Sequence, residues 1–224
     1  AVSDKIESLT SLSIDEVVGT ATGSRTYWTS QLHIDADLGW NISTTTTEAR
    51  ANGLLLDGNT TTTAYNTLKG DSNSTSDINW SDGIDFKLFY WFIPINTSDA
   101  NTTYFHGFSD GGSAQQCGDI TNTSERRVGF IHNGGKIYTA TCGGSAITTT
   151  EVDATDDGTV KKVYGISFTP SSVIFYINGS AVATHSTNIP SNSNTMRISY
   201  LGYDGGGGSS GFLVSHPTLS ETLS

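Results

Sequence analysis

Positive charge is scarce in this chain. Its 224 residues carry 11 Lys and Arg against 22 Asp and Glu, a formal net charge of −11. Binding a phosphate backbone needs clustered cations that release counterions. The longest basic runs are the pairs Arg126-Arg127 and Lys161-Lys162, so a nucleic-acid partner is excluded. Long apolar runs are also missing. The most apolar stretch, Phe86 to Ile95, is strand-length, short of the roughly 18 residues that span a bilayer as a helix. No membrane insertion is expected, and any signal peptide or anchor is expected to lie outside this chain. Glutamate is limited to residues 7, 16, 48, 125, 151 and 221, which leaves few carboxylate pairs for acid–base work. There are two cysteines, Cys117 and Cys142, without the Cys-x-x-Cys or Cys/His spacing of zinc or haem sites. Each sits beside glycine (Cys117-Gly118; Cys142-Gly143-Gly144), where backbones approach closely. A Cys117–Cys142 disulfide is the expectation, with two buried thiols as the alternative.

What fills the composition is hydroxyl and amide. Charged residues are only 15%, against the ~25% usual in globular domains. Threonine comes in runs: Thr44 to Thr47, Thr60 to Thr63 and Thr148 to Thr150. Threonine is β-branched and suits a half-solvated pleated surface. A surface made polar in this way resembles that of an extracellular or virion- or cell-surface protein. Asn-x-Ser/Thr triplets occur at Asn41, Asn59, Asn73, Asn79, Asn96, Asn101, Asn122 and Asn178. Eight triplets is about double the roughly four that chance provides, and the expectation is a glycosylated outer surface. A Thr/Asn-rich protein that is never glycosylated is the competing account.

From Tyr27 onward the period is two. Phe86, Leu88, Tyr90 and Phe92 alternate with Asp85, Lys87, Phe89 and Trp91. Both sets contain apolar residues, so this strand is expected to be covered on both faces and Trp91 to be core. Further strand-like runs are 27–35, 53–57, 104–108, 127–132, 136–141, 162–168, 172–178, 181–185, 196–203 and 211–216. Asp57-Gly58, Asp82-Gly83, Asn133-Gly134, Asp157-Gly158 and Asn178-Gly179 punctuate them, and such pairs favour type I′ hairpin turns. Many short strands without a convincing long helix predict an all-β fold, a two-sheet antiparallel sandwich or jelly roll. Residues 1–24 carry spaced apolar positions (Ile6, Leu9, Leu12, Ile14, Val17). They read as a short helix or an arm that contacts a neighbouring copy, with 25–224 as one domain.

Residues 162–190 run Lys-Val-Tyr-Gly-Ile-Ser-Phe, a Thr-Pro-Ser-Ser turn, then Val-Ile-Phe-Tyr-Ile-Asn-Gly-Ser-Ala-Val-Ala-Thr-His. This hairpin resembles one common in concanavalin A-like lectin/glucanase sandwiches. With His106-Gly107-Phe108-Ser109-Asp110 and Arg127-Val128-Gly129-Phe130 upstream, the order is similar to that of lectin-like domains in phage and viral structural proteins. The resemblance covers about residues 104–216 and carries no ligand-specific motif. It implies that the last strand, 211–216, pairs near the first.

Candidate chemistry is sparse. Glu151-Val152-Asp153-Ala154-Thr155-Asp156 is similar to the Glu-x-Asp-x-x-Glu of laminarinase-type glucanases, in which alternation places the carboxylates on one strand face. Here the last position is Asp156, shorter and followed by a turn signal. No catalytic residue is therefore assigned, and the chain is expected not to be an enzyme. His132 and His185 read as solvated or hydrogen-bonded strand-end residues. Asp35, Asp37, Asp153, Asp156 and Asp157 offer the oxygen ligands calcium takes, without EF-hand-like spacing; no cofactor is expected. Trp40 and Trp80 adjoin Asn41 and Asn79 and are candidates for stacking on a sugar ring, with core or rim packing as the alternative. The function these features favour is a non-catalytic structural or adhesive surface domain of a virion, fibre or envelope. Its partners would be its own copies, other structural subunits, or carbohydrate. A glucanase-like enzyme and a purely architectural filament or capsid subunit are the alternatives.

Overall fold

Apolar side chains at every second position are buried efficiently when two sheets stack face to face, and the computed structural model of the chain shows that arrangement. It describes residues 25–27, 40–43, 46–50, 53–57, 64–70, 78–79, 84–94, 100–110, 113–155, 160–169, 171–191, 195–206, 211–214 and 218–223. The expected arm, residues 1–24, lies outside these.

One sheet has nine strands. In spatial order it runs β1 (Arg25–Tyr27), β2 (Trp40–Ser43), β5 (Ala64–Gly70), β15 (Thr195–Asp204), β8 (Thr102–Ser109), β9 (Arg127–Asn133), β10 (Lys136–Cys142) and β11 (Ile147–Asp153), with β6 (Ile78–Asn79) also beside β15. The other sheet has eight: β14 (Ser180–His185), β13 (Ser172–Ile177), β12 (Lys162–Thr169), β7 (Ile84–Pro94), β16 (Phe212–Val214), β4 (Gly53–Asp57) and β3 (Thr46–Arg50), with β17 (Thr218–Leu223) along β7. Every pairing is antiparallel. The all-β two-sheet expectation holds.

The core between the sheets is strongly aromatic. Leu88, Tyr90 and Phe92 on β7 meet Tyr104 and Phe108 on β8, Phe130 on β9, Tyr164 and Phe168 on β12, and Tyr200 on β15, all buried. A buried aromatic or large aliphatic side chain contributes about 1.5–3 kcal/mol, so this layer dominates stability. A second, smaller core lies on the opposite face of the nine-stranded sheet. There Phe105, Ile131, Ala140 and Leu201 are covered by a five-residue helix, α1 (Ala114–Gly118), through Ala114 and Cys117. Ser113 caps α1, its Oγ accepting from the Gln116 amide at 3.1 Å. Gly118 lies against Thr103, where a Cβ would sit 2.3 Å from Thr103 Oγ1.

Several expectations need correction. Cys117 and Cys142 are both buried thiols rather than halves of a disulfide. Cys117 points into the apolar cluster under α1, while Cys142 Sγ is turned to the Thr123 carbonyl at 3.6 Å. The hairpin turn after β9 is Gly134-Gly135, with φ of 60° and 72°, and not Asn133-Gly134: Asn133 stays in the ladder opposite Lys136. The strand at the 211–216 position does not pair with β1. It is β16, between β4 and β7, because β1 belongs to the other sheet. The strand β7 is fully buried on its inner face, while on its outer face Lys87 and Phe89 are exposed and Trp91 and Ile93 are half-buried, so Trp91 is not in the core.

Candidate functional site

Alternation along β7 sends Leu88, Tyr90 and Phe92 inward and Lys87, Phe89, Trp91 and Ile93 outward. The neighbouring strand β12 presents Val163, Gly165 and Ser167 on the same outer face, opposite Trp91, Phe89 and Lys87 respectively. The next strand, β13, places Tyr176 opposite Gly165 and Ile174 opposite Ser167. Phe89, Gly165 and Tyr176 therefore form one row across three strands. Gly165 makes the row shallow. A Cβ there would lie 2.6 Å from Phe89 Cε1 and 3.2 Å from Tyr176 Cβ, so the Phe89 ring lies across the glycine. Its outer side stays accessible: Phe89 is 40% exposed and Val163 is 43%. One row along, the Lys161 ammonium stands 4.6 Å from the centroid of the Trp91 ring, a cation–π contact. The result is an open, shallow strip of rings on a rigid sheet. Such a surface suits the C–H face of a sugar ring, which stacks on an aromatic face while its hydroxyls stay in water.

The carboxylates that resembled a glucanase motif are arranged differently. Glu151 lies on β11 and is paired with Lys136 at 2.8 Å, and this hydrogen bond pushes the Lys136 ammonium upward in pKa. Asp153 is paired with Lys162 at 3.2 Å and also accepts from the Thr155 amide at 3.0 Å. Asp156 lies outside the described residues, as do Asp35, Asp37 and Asp157. Among the described residues no group of three or more His, Cys, Asp or Glu is placed to hold a metal. The middle of the sheet that carries Glu151 is occupied on its outer face by α1.

His132 and His185 are hydrogen-bonded rather than solvated, and both are buried, His185 at the end of β14. Tyr90 Oη is 2.6 Å from His106 Nδ1, and His106 Nε2 is 2.7 Å from His132 Nε2. Burial, and then the neighbouring His132, pushes the His106 pKa well below its ordinary value. Burial also raises the Tyr90 and Tyr200 phenols well above theirs. His185 sits among three hydroxyls, with Thr139 and Thr150 at Nε2 (3.1 and 3.0 Å) and Thr141 at Nδ1 (3.0 Å). Burial lowers its pKa. Nothing opens these groups to a substrate, and their role is to satisfy polar atoms between the sheets.

The other expected residues are scattered. Asn101 is exposed in the turn before β8. Asn122 is half-buried, its Oδ1 accepting from the Ser124 amide and hydroxyl. Asn178 is exposed in the β13–β14 turn with φ 51°, its Oδ1 accepting from the Val163 amide at 2.9 Å. Asn41 and Trp40 lie on β2, and Asn79 on β6. Asn59, Asn73, Asn96 and Trp80 lie outside the described residues. The aromatic strip itself was missed, although β12 carried a signal: a lone glycine inside a strand pattern marks a close approach, here that of Phe89.

No protein-family model matches the chain, and no curated protein matches it by sequence. Solved structures do match by shape. The carbohydrate recognition domain of Emp47p superposes with a TM-score of 0.56 at 10% identity, covering 80% of this chain and 87% of that one. A Bacillus licheniformis β-glucanase gives 0.55 at 11% identity, covering 89% and 98%. A family 7 alginate lyase gives 0.55 at 12% identity, covering 79% and 83%. The sandwich is thus concanavalin A-like, a fold shared by carbohydrate-binding lectins and by enzymes that act on glycans. Fold alone does not assign one of those roles.

Proposed function

We propose that this chain is a non-catalytic carbohydrate-binding surface domain that holds its ligand on the outer face of the eight-stranded sheet. The observation that carries this reading is the Phe89–Gly165–Tyr176 row with Trp91 beside it: Phe89 laid across a glycine and exposed, flanked by the half-buried rings of Tyr176 and Trp91. The lectin domain among the structural neighbours adds support. Lack of catalysis is inferred from Glu151 and Asp153, each held by a lysine. The setting proposed is the outside of a virion, fibre or cell envelope. There, glycans on some acceptor asparagines would cover polar surface, and many displayed copies would combine weak contacts through effective concentration.

The test is retention on immobilised polysaccharides. Phe89→Ala and Trp91→Ala should each weaken retention by up to about tenfold, in line with the roughly 0.5–1.5 kcal/mol that an aromatic contact contributes, while circular dichroism stays unchanged. Glu151→Gln should bind like the unmodified chain. Retention untouched by the ring substitutions would sink the proposed site, and glucan hydrolysis lost in Glu151→Gln would reverse the non-catalytic assignment.

A further inference from the structure

The distribution of positive charge specifies the proposed ligand further. Among basic residues with described side chains, four are engaged by protein oxygens. Arg126 pairs with Asp110 at 3.2 Å. Arg127 is buried, and its Nη2 donates to the carbonyls of Asp119 and Asn122 at 2.7 and 2.8 Å. Lys136 and Lys162 are held by Glu151 and Asp153. The remaining two are Lys87 and Lys161, both exposed. Both belong to the aromatic strip. Lys87 precedes Phe89 by two positions on the same face of β7, and Lys161 stands over Trp91. In a chain of net charge −11, the two exposed lysines that no carboxylate or carbonyl holds among the described residues thus flank the row that carries the exposed Phe89 ring.

Resting on the carbohydrate-binding reading above, we infer that the strip takes an acidic polysaccharide, a chain of carboxylate-bearing sugar units. Sugar rings stack on Phe89 and Trp91, and their carboxylates meet the ammonium groups of Lys87 and Lys161. Lys87 and Trp91 are four residues apart on one strand, about 13 Å at ~3.3 Å per residue. The two cations therefore address different units of a linear chain rather than one terminal sugar. A carboxylate arriving at Lys161 exchanges a cation–π contact for a charge-assisted hydrogen bond, which is the stronger of the two. The net negative charge of the protein does not prevent this, because at physiological salt fields are screened beyond about 8 Å. Contact is governed by the local lysines.

The experiment uses the full chain with polygalacturonate and with its fully methyl-esterified, uncharged form as paired probes in affinity electrophoresis. The unmodified chain should bind the free acid at least tenfold more tightly than the ester, and raised salt should narrow that gap. Lys87→Gln with Lys161→Gln should remove the preference, bringing the acid-to-ester affinity ratio to about one. Phe89→Ala should weaken both. Equal binding of acid and ester by the unmodified chain overturns this inference and leaves the carbohydrate reading standing. Binding of neither probe or of any other polysaccharide overturns both. Acid binding that survives Phe89→Ala unchanged is simple ion exchange and also overturns it. Self-association through the strip, seen as ring-dependent dimerisation without glycan binding, would replace it.

Discussion

Gly107 and Gly129 face each other across β8 and β9, and neither position has room for a methyl group. A Cβ on Gly107 would meet the Val128 carbonyl oxygen at 2.4 Å and Gly129 Cα at 2.6 Å, backbone atoms that cannot swing aside. Gly107 also has φ 143°, a region side chains avoid. Gly107→Ala should therefore destabilise the domain by on the order of 2–4 kcal/mol, read from the denaturant midpoint; an unchanged midpoint would contradict this packing. Gly165 behaves differently. The atoms nearest its absent Cβ belong to the Phe89 ring, which has somewhere to go. Alanine there should lift the ring and weaken ligand retention more than stability.

The two histidines with lowered pKa set a pH limit. His106 and His185 are held neutral in the fold by burial, whereas an unfolded chain takes up protons on them below about pH 6.5. The unfolded state then binds more protons. Stability is therefore fully present above about pH 6.5 and falls as pH drops below it, by at most about 1.4 kcal/mol per pH unit for each histidine. Melting temperatures recorded from pH 7.5 to 5 should fall on the acid side, and His185→Gln should flatten the slope. A melting temperature that is flat or rises toward pH 5 would contradict this.

At the scale of elements, legibility followed the strength of the alternation. The strand β4 (Gly53–Asp57) was readable as a short apolar run, and the hairpin of β13 and β14 because two strand-like runs flank Asn178-Gly179, both at positive φ. Strands such as β3 and β5 were not, since Thr46–Arg50 and Ala64–Gly70 are polar or irregular; β3 is held by the adjacent β4, and β5 gains its pairing with β15 from far along the chain. The helix α1 was hidden for a related reason. Five residues give no 3.6-residue period, and α1 is fixed by the apolar face of the sheet it covers. The aromatic site was half legible. Its residues were visible as a strand apolar on both sides, but sequence does not say whether a second layer covers the outer face. Pattern alone favoured a fully buried β7, and the structure leaves Lys87 and Phe89 on that face exposed.

At the scale of the molecule, the two sheets meet along one side through side chains. His185 on β14 reaches Thr139, Thr141 and Thr150 on β10 and β11, while Thr148 and Thr187 share a 2.8 Å hydrogen bond across the same seam. On the centre line of the nine-stranded sheet the join is in the backbone. The strand β15 lies between β5 and β8, pairing with residues 64–69 on one side and 102–109 on the other. It follows both of these neighbours in the chain, so it leaves the ribosome after them. Until residues 195–204 emerge, the halves of that sheet have nothing to join them, and two strand edges stand bare beside a largely apolar layer. A chain stopped after Pro190 should therefore accumulate as aggregate, not as a smaller soluble sandwich. Sedimentation of that truncated product measures it, and a soluble, β-rich monomer would contradict it. Synthesis thus completes both halves of this sheet before the strand that closes them exists.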